Sequence, residues 1–292
     1  MDKFKKYMNN SNMDSRSSVR KYLNSDSVVA KLSFLILVLF IFMIALRIST
    51  NFLTWLFGYS KTPHLLDGMI DAKHMQVIEQ DPSKTGAIPV MRSDNQNGIE
   101  FTWSVWIFIE DLDYNSGTFK HIFHKGNDNI NYDVAPTGLN YPNNGPGLYI
   151  TPNKNNLLVI MNTFEKVEEK IIIENVPLNK WINVMIRCEQ KTIDCYINGT
   201  ITKRHELSGV PFQNYGNVYM SMNGGFSGYT SNLWYYNYAL GTTAIQNIVK
   251  RGPNTKVKDG KSNAIDSAVP YYLSLRWFIS NNGTQMSGYG GI

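Results

Sequence analysis

The sequence predicts a mainly β protein, a sandwich or barrel of short strands preceded by one N-terminal transmembrane helix. Three observations predict it. Residues 32–46 read LSFLILVLFIFMIAL, in which Ser33 is the one polar side chain. After residue 59, runs rich in Val, Ile, Phe, Tyr and Trp recur at close spacing between clusters of Gly, Asn and Pro, the pattern of strands and turns. Strands that follow one another without intervening helices build sandwiches or barrels.

Residues 1–27 are a polar tail. Up to residue 31 there are seven bases (Lys3, Lys5, Lys6, Arg16, Arg20, Lys21, Lys31) against three acids (Asp2, Asp14, Asp26), a net charge of +4. Arg47 adds one base, and the chain from residue 59 onward holds 20 bases and 20 acids of the total 28 and 23. The basicity behind a pI of about 9.0 therefore belongs to the flank of an apolar run. The neutral remainder lacks the electrostatic footprint of a nucleic-acid binder.

Residues 28–57 are read as a transmembrane helix with an interfacial extension. Val28 to Leu46 make a helix of about 28 Å, close to the roughly 30 Å hydrocarbon layer. Lys31 and Arg47 stand where their charges can snorkel to headgroups, and Trp55, Phe57 and Tyr59 suit an interfacial collar. A buried core helix would need an all-helical surround, and a cleaved signal peptide a shorter leader and a small-x-small site. The basic flank predicts a single-pass protein with its N-terminus on the cytoplasmic side and the larger domain across the membrane.

Residues 58–73 read as a stalk. Strands are expected at 75–80, 99–110, 119–125, 147–151, 156–163, 168–174, 181–188, 192–198, 200–206, 217–223 and 226–237, with one more at 269–279 in a C-terminal extension spanning 256–292. The one soluble helix expected runs from Thr243 to Arg251, with Thr243 and Gln246 as a capping box and Gly252-Pro253 as its stop. In the hairpin from Trp181 to Thr200, a turn at Lys191-Thr192 would set Cys188 opposite Cys195, within disulfide reach. Two buried free thiols are the preferred reading, since cysteine packs well as a small apolar side chain.

The segments FTWSVWIFIED (Phe101 to Asp111), IFHKG (Ile122 to Gly126), GLYI (Gly147 to Ile150), PLNKWINVMI (Pro177 to Ile186), IDCYINGTI (Ile193 to Ile201), VYMSMNGGFSGYTSNLWYYNYALG (Val218 to Gly241) and IQNIVKRGP (Ile245 to Pro253) follow in the order of a laminin-G-like, concanavalin A-like jelly roll. The chain resembles that family over residues 74–255. With its N-terminal anchor it is further similar to the membrane-anchored laminin-G-like virion proteins of giant double-stranded DNA viruses. This resemblance implies a non-catalytic structural or interaction protein, such as a minor capsid component between internal membrane and shell, whose partners are the lipid bilayer and other coat or capsid proteins. A glycan-binding lectin or adhesin is the alternative that the same fold implies.

Because the jelly-roll class includes glucanases, catalysis needs a test. A retaining hydrolase requires two carboxylates about 5–5.5 Å apart on one face. The nearest grouping, Glu79-Gln80-Asp81, lacks a third acid and runs into Pro82, so no enzymatic activity and no catalytic residue are expected. His121 and His124 have metal-ligand spacing, but side chains three apart on a regular strand diverge, and structural histidines are the better reading. No cofactor is expected. Calcium has one oxygen-rich candidate, the Asn127–Asp133 loop with Asp128 and Asp133, which also reads as a polar surface turn. Trp234, Tyr236 and Tyr238 share one strand face opposite Leu233 and Tyr235. Exposed, they would serve sugar stacking or protein contact; otherwise they are buried under the N-terminal segment or the 269–279 strand. Asn198 and Asn282 head glycosylation sequons, of use only to a domain in a glycosylating lumen.

Overall fold

The computed structural model describes residues 27–93 and 98–257. The expected strand at 269–279 and the Asn282 sequon lie outside these residues. The chain divides into two units at Gly58.

The first unit holds α1 (Val28–Phe57), which starts after Ser27 and stops at Gly58. Its span Val28–Thr54 is the one helix among the described residues long and apolar enough to cross a membrane. Its large side chains from Leu32 to Leu53 are exposed, with Phe40 at 59% and Met43 at 63%. Lys31 and Arg47 are exposed on it.

The second unit is a sandwich of two six-stranded antiparallel sheets. Its strands are β1 (His64–Asp71), β2 (Gln76–Ile78), β3 (Glu100–Ile109), β4 (Lys120–Gly126), β5 (Gly147–Ile150), β6 (Leu157–Met161), β7 (Glu169–Ile173), β8 (Trp181–Glu189), β9 (Thr192–Ile197), β10 (Thr200–Glu206), β11 (Asn217–Met220) and β12 (Gly228–Tyr236). One sheet has the order β1-β12-β3-β8-β9-β10, the other β2-β11-β4-β5-β6-β7. Strand alternation fills the space between them. Trp103, Val105, Ile107 and Ile109 of β3 face Phe123 of β4 and the apolar rows of β5 and β6 in one core.

Four expectations are corrected. The stalk is not continuous: His64–Asp71 is strand β1, paired with β12. Its apolar residues hid the strand because two register shifts and Gly68, at φ 93°, break their alternation. The cysteine register is also different. The hairpin turns at Gln190-Lys191, where Gln190 takes φ 57° and donates its N–H to the Ile99 carbonyl at 2.8 Å. Glu189 therefore pairs with Thr192, and Cys188 with Ile193. Cys195 becomes a diagonal neighbour of Cys188, about 7–8 Å away and beyond disulfide range. Both thiols are free and buried, and burial pushes each up to about 12.

The third correction concerns α2 (Thr242–Arg251), which begins one residue early with Gly241 at the N-cap and no side-chain cap. Gln246 does not close a capping box; its Nε2 donates to the Gly199 carbonyl at 2.9 Å and ties the helix to the β9–β10 turn. The helix buries Ile245 against Met185 and Leu240 on the outer face of the first sheet.

The histidines are the fourth. A register shift between His121 and Phe123 in β4 turns the two rings toward each other, and His121 Nε2 lies 2.7 Å from His124 Nδ1. Met222 N–H donates to His121 Nδ1 at 3.0 Å, so His121 carries its proton on Nε2 and donates it in a hydrogen bond to His124 Nδ1. His124 then donates from Nε2 to the Asn127 carbonyl at 2.7 Å. Burial holds both rings neutral: His121 well below its ordinary range and His124 at about 4. They link β4 to the turn after β11 and to the Asn127 loop, the structural role expected of them.

Candidate functional site

Trp234, Tyr236 and Tyr238 share the outer face of the first sheet, while Leu233 and Tyr235 are buried between the sheets. A bulge sets this up. Between Ser231 and Trp234 the pairing of β12 with β3 slips by a residue, and Asn232 takes φ 48°. Without it, alternation from Ser231 would carry Trp234 inward; with it, Trp234 stands over Ser104 and beside Trp106.

The aromatic side chains form a ladder. His64 of β1 stacks on Trp234 with ring centroids 3.8 Å apart, Tyr236 lies 6.1 Å beyond, and Tyr238 meets Tyr236 edge-on at 6.1 Å. Trp234 and Tyr236 are half-buried and Tyr238 is exposed. Among the described residues their burial comes from β1 and α2; the 269–279 strand lies outside them.

Trp234 and Tyr236 line an open groove of about 430 Å³ between the sheet and the C-terminal end of α2. Its polar wall is Asp67, Asn232, Arg251 and Asn254. Asn254 Nδ2 donates to Asp67 Oδ1 at 2.9 Å, Ser231 Oγ to the Asn254 carbonyl at 2.7 Å, and Met69 N–H to the Lys256 carbonyl at 2.8 Å. These bonds fasten the chain after α2 to β1 and β12 and fix the groove's width. The wall carries one acid and one base. Such a groove offers aromatic planes and planar hydrogen-bonding groups with no field of a single sign.

Sequence reasoning found the aromatic residues through strand alternation. It missed His64, Asp67, Arg251 and Asn254, because a stalk and the end of a helix carry no sign that they converge on one strand face.

The other predicted positions do not join this groove. Asp128 and Asp133 are exposed, and among the described residues no cluster of three His, Cys, Asp or Glu could hold a metal ion. Asn198 is exposed in the β9–β10 turn at φ 51°, followed by Gly199 at φ 77°; its Oδ1 accepts from Asn183 N–H at 2.8 Å. Glu79 accepts from Lys84 Nζ and Asn217 Nδ2, each at 2.9 Å, and the Lys84 bond holds its carboxyl below the usual range. Asp81 accepts from Ser83 N–H, which lowers it likewise. A general acid needs a raised carboxyl, so neither residue is set up as the general acid of a glycoside hydrolase.

The profile of the concanavalin A-like lectin/glucanases superfamily (Laminin_G_3) matches residues 83–246, more than half of the chain. The chain belongs to this superfamily. No curated protein matches it. Among solved structures, the superfamily domain is similar to the receptor-binding domain of botulinum neurotoxin D, with 13% identity and TM-score 0.44 over 66% of this chain and 48% of that one. It is also similar to the receptor-binding domain of the botulinum neurotoxin C/D mosaic serotype, with 16% identity and TM-score 0.41 over 52% and 36%. A third is the binding domain of botulinum neurotoxin DC in complex with rat synaptotagmin II, at 18% identity, TM-score 0.40, 52% and 36%. The chain spans a third to a half of these structures' length.

Proposed function

We propose that the protein is a non-catalytic, membrane-anchored interaction protein that takes up glycan in the Trp234 groove. The observation that carries this reading is the aromatic ladder His64–Trp234–Tyr236 set against the wall of Asp67, Arg251 and Asn254. Pyranose rings present apolar C–H faces edged by hydroxyls. Aromatic planes take the faces, and planar amide, carboxylate and guanidinium groups take the hydroxyls in pairs. The balanced charge of the wall favours a neutral sugar. The apolar helix α1 supplies the anchor, and the +4 flank before it supports an N-terminus on the cytoplasmic side.

The experiment is a glycan array probed with the full chain in lipid nanodiscs. Binding to neutral glycans is expected, and Trp234→Ala should weaken it by about 2 kcal/mol, or roughly thirtyfold, with the fold intact. No glycan bound, or equal binding by the variant, rejects the groove. Turnover of any bound glycan rejects the non-catalytic reading.

A second reading assigns the same architecture to a virion, where the helix sits in the internal membrane and the sandwich docks on coat or capsid proteins. Its support is the resemblance to virion membrane proteins together with a membrane-length helix ahead of the domain. Under it the protein stays with the shell in fixed copy number after mild detergent; under the lectin reading it is stripped away.

A further inference from the structure

A second cavity, of about 120 Å³, opens at one end of the sandwich between the two sheets. Its floor is aromatic: Phe101 and Trp103 of β3 and Tyr235 of β12 are buried there, and the Trp103 and Tyr235 rings lie 4.9 Å apart. Phe212 (45% exposed) and Tyr215 (75%) stand at its mouth. A cavity of about 150 Å³ holds benzene, so this one takes a group near the size of a single ring.

One cation reaches into it. On β4, Phe123 points into the core, and Lys125, two residues on, shares that face and is 6% exposed. Its Nζ donates to the Gly216 carbonyl at 2.6 Å and to Gln80 Oε1 at 3.4 Å, its two acceptors among the described residues. An ammonium has a third N–H. Among the described residues no carboxylate answers the charge: burial sets its acidity, bringing it to about 8, so the amine is still mainly protonated at neutral pH. The other buried lysine of this strand, Lys120, has Asp111 and Asp113 acting on it. Buried charges are ordinarily paired, and the cavity offers the space in which a partner charge would sit.

We propose that this cavity is a binding site for a small apolar carboxylate, its ring or branched chain resting on Trp103 and Tyr235 and its carboxylate accepting from Lys125 Nζ. The carboxylate supplies a counter-charge and an acceptor for the third N–H. Two sources share this chemistry, a free apolar acid and the C-terminal carboxylate of a peptide ending in an apolar residue. The site is independent of the Trp234 groove, which lies on the outer face of the first sheet.

The test is calorimetric titration of the full chain in lipid nanodiscs, with empty nanodiscs subtracted, against 3-phenylpropionate, 3-phenylpropanol and 3-phenylpropylamine. The acid should bind, the alcohol about tenfold or more weakly, and the amine not at all. Lys125→Met should abolish the preference for acid over alcohol. No binding of the acid to the unaltered chain, or equal binding of acid and alcohol, overturns the proposal. That comparison uses the unaltered chain and so stands even if the variant fails to fold. N-acetyl-phenylalanine distinguishes the sources: tighter than 3-phenylpropionate, it assigns a chain end; weaker, a free acid.

Discussion

Cys188 and Cys195 show how much one turn residue decides. Gln190 in the left-handed region moves the hairpin register by two, and two side chains that a turn at Lys191-Thr192 would set opposite each other become diagonal neighbours. With burial raising both thiols to about 12, the thiolate is scarce at neutral pH. Native protein should resist alkylation, and denaturation without reductant should release two reactive thiols per chain; none released would restore the disulfide. Gly228 is the second decisive residue. It sits at φ 141°, and a Cβ there would collide with the Phe108 carbonyl oxygen of the neighbouring strand. Gly228→Ala should cost about 3 kcal/mol or more, read as a lowered denaturation midpoint, because the φ penalty adds to overpacking against backbone. An unchanged midpoint would show that β12 can move away from β3.

At the scale of elements, the histidine chain links β4 to its neighbours and predicts a pH dependence. Both rings titrate lower in the folded state than the ordinary 6.5, so the unfolded chain takes up protons first as pH falls. The stability they contribute is complete above about pH 6.5 and declines as pH drops toward 4, each unit of depression being worth about 1.4 kcal/mol. Urea midpoints should fall across that window, and should fall less in a His121→Leu/His124→Leu double variant. Parallel curves for the two proteins would contradict this. These elements also show what was legible in sequence. The strands expected between 75 and 237 are present because their β-branched and aromatic runs are bounded by clusters of Gly, Asn and Pro, with 217–223 stopping at Met220 in a short turn. What escaped is what irregularity hides: β1 behind two register shifts, the meeting of His121 and His124 behind another, and the half of the groove wall contributed by β1 and the chain after α2. Local periodicity reports which face a side chain takes and carries no information on which distant segment will cover it.

At the scale of the whole molecule, the proposed function divides anchoring and binding between two units, an apolar helix exposed from Leu32 to Leu53 and a sandwich with a surface groove of balanced charge. The formal charge of +5 belongs to the flank of the first; the second sums to zero. A flotation experiment tests this division most directly. Liposomes carrying the full chain are mixed with a soluble polymer bearing the array-selected glycan and centrifuged through a density gradient. Protein and glycan should float together, and with Trp234→Ala the protein should still float while the glycan stays at the bottom. Protein that fails to float, or glycan that floats equally with the variant, would contradict it.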